Sequence, residues 1–304
     1  MLKLSSSISF KLRLANGKNH AKEIIFFEMA AYYDIFSEYC SMEFQTIKIQ
    51  LGESMAWVNL DRPEVRNALN AEMIHELTEA FDWLSSRDDI RVIILKGNGS
   101  AFCAGADLNY MKSMAKYGFA QNITDAEKLS KLFRAMYYSG KAVIAVVHGA
   151  CIGGANGMVA AADIVIAERG TKFAFSEVRL GLTPATISPF VFARIGNSAC
   201  RELMLTGRRF TADEAKEYGL VNVVVDEAGL IDAERTYIEY FMQASPDAIA
   251  ECKSLLRMVS GTDDPNSPLL YQTSVAIAHQ RVSKAGQEGM TAFFEKRKPN
   301  WQPL

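Results

Sequence analysis

Two glycine-rich loops, each directly following an apolar strand, are the parts of this 304-residue chain whose residue types could do chemistry. The first follows RVIILK and reads GNGSAFCAGADL, with Ala104, Gly105, Ala106 and Asp107 just before the helical stretch DLNYMKSMAK. The second follows AVIAVV and reads HGACIGGANG, with Gly149, Gly153 and Gly154 before the small-residue stretch MVAAA. Glycine lets a backbone approach a ligand closely and take positive φ. A helix N-terminus points unpaired N–H groups and partial positive charge outward. Two such loops facing each other could present two N–H donors to one oxygen, an oxyanion hole. On spacing alone, both could equally be tight strand-to-helix turns.

Other chemistries fit less well. Gly97-Asn98-Gly99 follows a strand, but Phe102 stands at the third glycine position of GxGxxG, so the dinucleotide fingerprint fails. Neither GxxxxGK[ST] nor GxSxG occurs, which removes a P-loop and a nucleophile elbow. Cys103 and Cys151 lie in the loops, yet no histidine and acid are arranged to activate them. The four histidines (His20, His75, His148, His279) show no metal-ligand spacing, and the five cysteines never form CxxC, so no metal site and no disulfide framework is expected.

The elements that must position the loops read as alternating strands and helices from Phe44 onward. FQTIKIQL and MAWVNL form a hairpin around Gly52-Glu53. Asn70 is suited to cap a helix whose apolar face is Met73, Leu77, Ala80, Phe81 and Leu84. RVIILK, AVIAVV and DIVIA are continuous apolar runs, as expected of strands covered on both faces, so an α/β fold with much parallel pairing is predicted. Thr211 and Glu214 make a capping box, Gly219 ends that helix, and VNVVV follows as a strand. Beyond about residue 230 only helices are predicted: AERTYIEYFMQA, PDAIAECKSLLRMVSG, one running to about residue 284, and a last one bearing Phe293 and Phe294 before Trp301.

Lys plus Arg number 33 and Asp plus Glu 35, a net charge of −2, with 49% hydrophobic residues. That is ordinary globular composition, without the basic face a nucleic-acid binder needs. The longest apolar stretch, residues 142–167, is broken by His148, Asn156, Asp163 and glycines, so no membrane span is expected. The first 22 residues carry Lys3, Lys11, Arg13, Lys18 and Lys22 and no acid. This resembles a transit peptide, in which case the mitochondrial matrix is expected; alternatively translation begins at Met42 and the protein is cytoplasmic. Residues 1–42 are therefore set apart as an extension, 43–240 as the core and 241–304 as a helical C-terminal region.

FCAGADL, HGACIGGANG with AAADIVIA, FAFSEVRLGLTP, AFFEKRKPNW and DRPEVRNALN, in order and at appropriate spacing, together resemble the crotonase family, the enoyl-CoA hydratase/isomerase superfamily. The resemblance covers residues 43–304 and implies a crotonase-like spiral of ββα units with a helical C-terminal oligomerisation region. It implies acyl-CoA substrates, no cofactor beyond that coenzyme A, and a homotrimer or hexamer. It assigns the oxyanion hole to the backbone N–H groups of Ala104 and Gly154, helped by the dipole of the following helix. It runs Gly105, Ala106, Asp107 and Gly153 along the acyl-CoA path, and offers Arg66 and Lys296 to the CoA phosphates.

Many hydratases of the family flank the double bond with two glutamates. Here the first position is Gly157, and the second is Glu177, which follows the FAF strand. Apolar surroundings would raise the Glu177 pKa and suit it to proton transfer, the alternative being an ion pair with Arg179. The segments SEVRLGLTPATISPFVFARIG and ADLNYMKSMA resemble the methylglutaconyl-CoA hydratase-like branch, whose substrates are branched and carboxylated. The expected function is thus an enoyl-CoA hydratase acting on such a substrate, with its distal carboxylate or a bound water replacing the lost glutamate. Thr183, Thr186 and Ser188 could line that end, or merely turn the chain. The alternatives are a delta isomerase or decarboxylase using Glu177 alone, and a catalytically silent acyl-CoA-binding scaffold.

Overall fold

The computed structural model describes residues 38–39, 43–114, 116–260 and 283–302. The reading of residues 1–37, the turn-rich 261–268 and the helix to residue 284 lie largely outside these, as do the side chains of Phe293 and Phe294. The main sheet has the order β1 (Glu38–Tyr39), β2 (Ile47–Gly52), β3 (Met55–Leu60), β4 (Val92–Gly97), β5 (Ala142–Val147), β7 (Ile164–Glu168) and β10 (Val223–Val225). β1 to β3 pair antiparallel, and every pairing from β3 to β10 is parallel. The continuous apolar runs explain this: Val92, Ile93, Ile94 and Leu95 of β4 are fully covered, and β5 is buried throughout. β1 lies within the stretch set apart from the core by sequence, and it pairs Glu38 with Leu51.

A second sheet holds β6 (Ala150–Ile152), β8 (Lys172–Ala174) and β9 (Arg209–Thr211). β6 follows β5 across His148-Gly149, and β8 follows β7 across residues 169–171. β5 and β7 are therefore each succeeded by a short strand in the other sheet and then by helix, which is the repeated ββα unit. Gly149 makes the first of these corners possible. Its φ is +63°, and a β-carbon would stand 2.1 Å from the Ser100 carbonyl oxygen.

The helices cover the sheet. α1 (Ala71–Ser86) is capped by Asn70, whose side chain accepts from Met73 N at 2.9 Å, and its predicted face is buried without exception. The buried Glu76 of α1 accepts from Gln45 N (2.6 Å) and Thr46 N (2.8 Å), fixing the helix to the entry of β2. α2 (Leu108–Met114) and α3 (Phe119–Tyr138) follow the first loop. α4 (Ala155–Ala161) follows the second, and α5 (Ser188–Thr206) bends at Gly196. α6 (Ala212–Glu217) has the capping box expected of Thr211 and Glu214. α7 (Leu230–Gln243) packs on β5, β7 and β10.

α8 (Pro246–Val259) is tied to the sheet by Lys253, whose Nζ reaches Asp163 Oδ2 at 2.7 Å and Lys141 O at 2.9 Å. Beyond α9 (Lys284–Glu295), Trp301 docks on its own chain: its Nε1 donates to Gln243 O, and its carbonyl accepts from Arg91. No helix among the described residues is long and apolar enough to cross a membrane.

Candidate active site

The two glycine loops are neighbours because each completes the other's backbone pairing. Cys103 N donates to Ala150 O (3.0 Å) and Ile152 N donates to Cys103 O (3.1 Å), so the first loop runs beside β6. On its other side the first loop pairs with residues 66–69, through Leu69 N to Gly105 O (2.7 Å) and Asp107 N to Leu69 O (2.8 Å). Gly105, at φ +98°, lies where a β-carbon would meet the Ile152 carbonyl oxygen at 3.0 Å. Only glycine gives both the conformation and the closeness.

This pairing decides which amides are available, and it corrects the assignment of Ala104. The Ala104 N–H is already donated to Arg66 O at 3.0 Å, so it cannot turn to a ligand. Leu69 engages Gly105 O and Asp107 N, the groups flanking Ala106, and leaves the N–H of Ala106 without an acceptor among the described residues. Gly154 N is likewise unengaged, whereas its neighbour Gly153 N donates to Ala174 O at 2.8 Å. Gly105 N has no acceptor among the described residues either, but Gly105 is buried and Ala106 exposed, so Ala106 and Gly154 are the candidate pair.

Glu177 opens a short 3-10 turn, Glu177–Leu180, that ends at Gly181 in the left-handed region. Its carboxylate rests on the second loop: a β-carbon on Gly153 would be 3.3 Å from Glu177 Oε1. Oε2 is buried with no hydrogen-bond partner, and burial raises the pKa above the ordinary glutamate value. No ion pair joins Glu177 to Arg179 among the described residues, so that alternative falls. Arg179 lies instead against Gly207, where a β-carbon would meet its Cγ at 3.1 Å.

Gly157 is more than a position without a carboxylate. A β-carbon there would lie 2.5 Å from Phe133 Cζ and 2.6 Å from Ile187 Cγ2, so the space a side chain would enter is already filled. Asn156, beside it, is buried and spends its amide on the carbonyls of Cys151, Gly153 and Ala174. Cys103 and Cys151 are fully buried, and burial pushes the Cys103 thiol up to about 12 and that of Cys151 well above its usual value. Neither is a nucleophile.

Asp107 is a structural residue rather than a ligand-facing one. Burial would raise its pKa, but hydrogen bonds from Tyr110 N, Arg62 and Asn109 N outweigh this and hold it low. It caps α2 and forms a 2.9 Å ion pair with Arg62. Ser188 donates to Ala185 O at 2.9 Å and Thr183 is exposed, which fits their turn-forming role.

A cleft of about 520 Å³ opens beside Ala104 and Ser176, lined by Arg66, Lys172, Arg179 and Arg209. No acid lines it, and none of these four cations has an ion-pair partner among the described residues. Lys296 lies beyond α9 and lines no part of this cleft, so the structure does not bring it to Arg66. Lys172 and Arg209 were missed by sequence reasoning. They sit on strands of three residues, too short for a periodic signal, and only the small sheet, which pairs Lys172 with Thr211 and Ala174 with Arg209, brings both to one cleft.

The chain matches the family model described as enoyl-CoA hydratase/isomerase over residues 50–303. Among solved structures, an enoyl-CoA hydratase from Shewanella pealeana superposes with a TM-score of 0.82 at 39% identity, covering 85% of this chain and 97% of that one. Mevalonyl-coenzyme A hydratase of Aspergillus fumigatus is 31% identical over 268 residues, 87% of this chain and 95% of that protein. Carnitinyl-CoA dehydratase of Proteus mirabilis is 31% identical over 264 residues, 85% and 98% of the two chains. Agreement over nearly the whole length of independent relatives, on the fold just described, leads to one conclusion: the chain belongs to the enoyl-CoA hydratase/isomerase family.

Proposed function

We propose that the protein is an enoyl-CoA hydratase, adding water across the α,β-double bond of a branched, carboxylated acyl-CoA such as 3-methylglutaconyl-CoA. The observation that carries this reading is the junction of two unengaged backbone amides, at Ala106 and Gly154, with Glu177, whose carboxylate lies against the second loop and whose Oε2 is buried without a hydrogen-bond partner. In the proposed reaction Glu177 takes a proton from water, whose oxygen adds to the β-carbon. The electron pair of the double bond moves to the thioester oxygen, which the Ala106 and Gly154 N–H groups hold as an enolate. Glu177 then returns its proton to the α-carbon, so one carboxylate serves both steps. The substrate's distal carboxylate, or a water it holds, takes the orienting role for which position 157 has no side chain.

The four cations of the cleft suit the phosphates of coenzyme A, Arg66 among them. Relatives named for mevalonyl-CoA and carnitinyl-CoA support hydro-lyase chemistry while differing in acyl group, so the acyl assignment rests on the sequence resemblance. The same resemblance supports a homotrimer or hexamer, which light scattering would test.

The filled space at Gly157 also favours a second reading, a double-bond isomerase in which Glu177 alone moves one proton between two carbons. Incubation with a panel of enoyl-CoA thioesters separates the two by product mass, a gain of one water for hydration and no change for isomerisation. Glu177→Gln should abolish either. A silent scaffold predicts no conversion of any thioester, and it leaves the buried, unpartnered Oε2 of Glu177 without purpose.

A further inference from the structure

The wall facing the second loop comes from α3 and the residue before α5. Gly157 N donates to Gly154 O at 3.0 Å, so position 157 follows Gly154 by one tight turn and shares its face. A β-carbon on Gly154 would meet Leu69 Cδ1 at 3.5 Å and Leu129 Cδ2 at 3.9 Å; one on Gly157 would meet Phe133 and Ile187. Leu129 and Phe133 are four residues apart on α3, so a single helix face runs past both glycines. Every atom met is carbon. Phe133 is held in place by edge-on contact with Phe190, ring centroids 5.8 Å apart, and Phe190 in turn by Tyr137 at 5.5 Å. Leu129 is half-buried, and Phe133 and Ile187 are closed behind it.

A water lodged against such a surface would forgo hydrogen bonds, whereas an alkyl group would only exchange water for carbon contacts. We infer that Leu129, backed by the fully covered Phe133 and Ile187, forms a specificity wall beside the reacting double bond, selecting enoyl thioesters with an alkyl substituent on the β-carbon over straight-chain ones. This rests on the hydratase reading above and names the part of the substrate that the site recognises.

The test is the ratio of kcat/KM for 3-methylglutaconyl-CoA to that for glutaconyl-CoA, which differ only in the β-methyl group, measured on the wild type, Leu129→Ala and Phe133→Leu. Both thioesters are assayed on one preparation, so the ratio is independent of the fraction folded and a structural defect alone does not move it. The wild type should favour the methyl-branched thioester by about tenfold or more, the usual worth of one methyl-sized group in an apolar site. Leu129→Ala and Phe133→Leu should each lower that ratio by at least roughly threefold, a partial loss of the same discrimination. A ratio near one in the wild type, or one unchanged in both variants, overturns the wall and leaves the hydratase reading standing. No conversion of either thioester, nor of any in the panel, overturns both.

Discussion

Glu177 Oε1 lies 3.3 Å from the point where a β-carbon on Gly153 would stand, so the carboxylate and the second glycine loop are in contact with no room between them. Gly153 also sits at φ +56°, which an L side chain rarely adopts. Gly153→Ala should therefore displace Glu177 as well as strain the loop. Since a misplacement of about 1 Å can cost roughly 100-fold in rate, kcat should fall by at least about tenfold with KM little changed, as steady-state kinetics would read. Full activity in Gly153→Ala would separate Glu177 from the chemistry.

The pH behaviour of Glu177 follows from its burial. Burial raises its folded pKa above the ordinary glutamate value of 4.5, so the folded protein binds that proton more tightly than the unfolded chain. Stability from this group is present at low pH and is lost as pH rises from the unfolded toward the folded pKa. Glu177→Gln removes that loss and should melt higher than the wild type at neutral pH, with the difference closing below about pH 4.5, the unfolded value. In activity the direction reverses, because the base must be ionised. The acidic limb of kcat/KM should lie above the ordinary carboxylate range, and Glu177→Gln should lose about 100-fold or more.

Gly157→Ala tests the tightness of the wall from the other side. Its methyl would lie 2.5 Å from Phe133 Cζ, and overpacking of that kind costs about 1–3 kcal/mol. Thermal unfolding should show a lowered Tm, and Phe133→Leu in the same chain should recover part of it. An unchanged Tm in Gly157→Ala would mean the phenyl ring moves aside freely.

Lys172→Ala and Arg209→Ala test the cationic cleft. Each removes a partly solvated charge contact, worth up to about 1 kcal/mol or roughly fivefold in affinity. KM for an acyl-CoA should rise accordingly while kcat holds, and the difference should shrink as salt is added. The same thioester on a pantetheine lacking phosphates should show no effect of either change.

Much of the fold was legible in the sequence, because its signals are local. The runs RVIILK and AVIAVV became β4 and β5, Asn70 and Thr211 capped the helices predicted for them, and Gly219 ended α6 at φ +82°. α3 was not legible: only Leu132, Phe133 and Met136 of its 20 residues are buried, too sparse a stripe to read as a periodic face. The structure brings Glu177 against the loop of Gly154, the two residues singled out by sequence, but the exposed free amide of the first loop was not legible. Ala104 and Ala106 are chemically identical, and the choice between them is made by Arg66 and Leu69, through hydrogen bonds that no local pattern encodes.

That choice makes the first loop a matter of counting. Ala106 is exposed between two groups that Leu69 bonds, Gly105 O and Asp107 N. Removing or adding one residue between Asn98 and Ala106 would keep every atom type in the loop yet bring a different residue opposite Leu69. The length of this segment, more than the identity of its alanines, therefore decides which amide is presented.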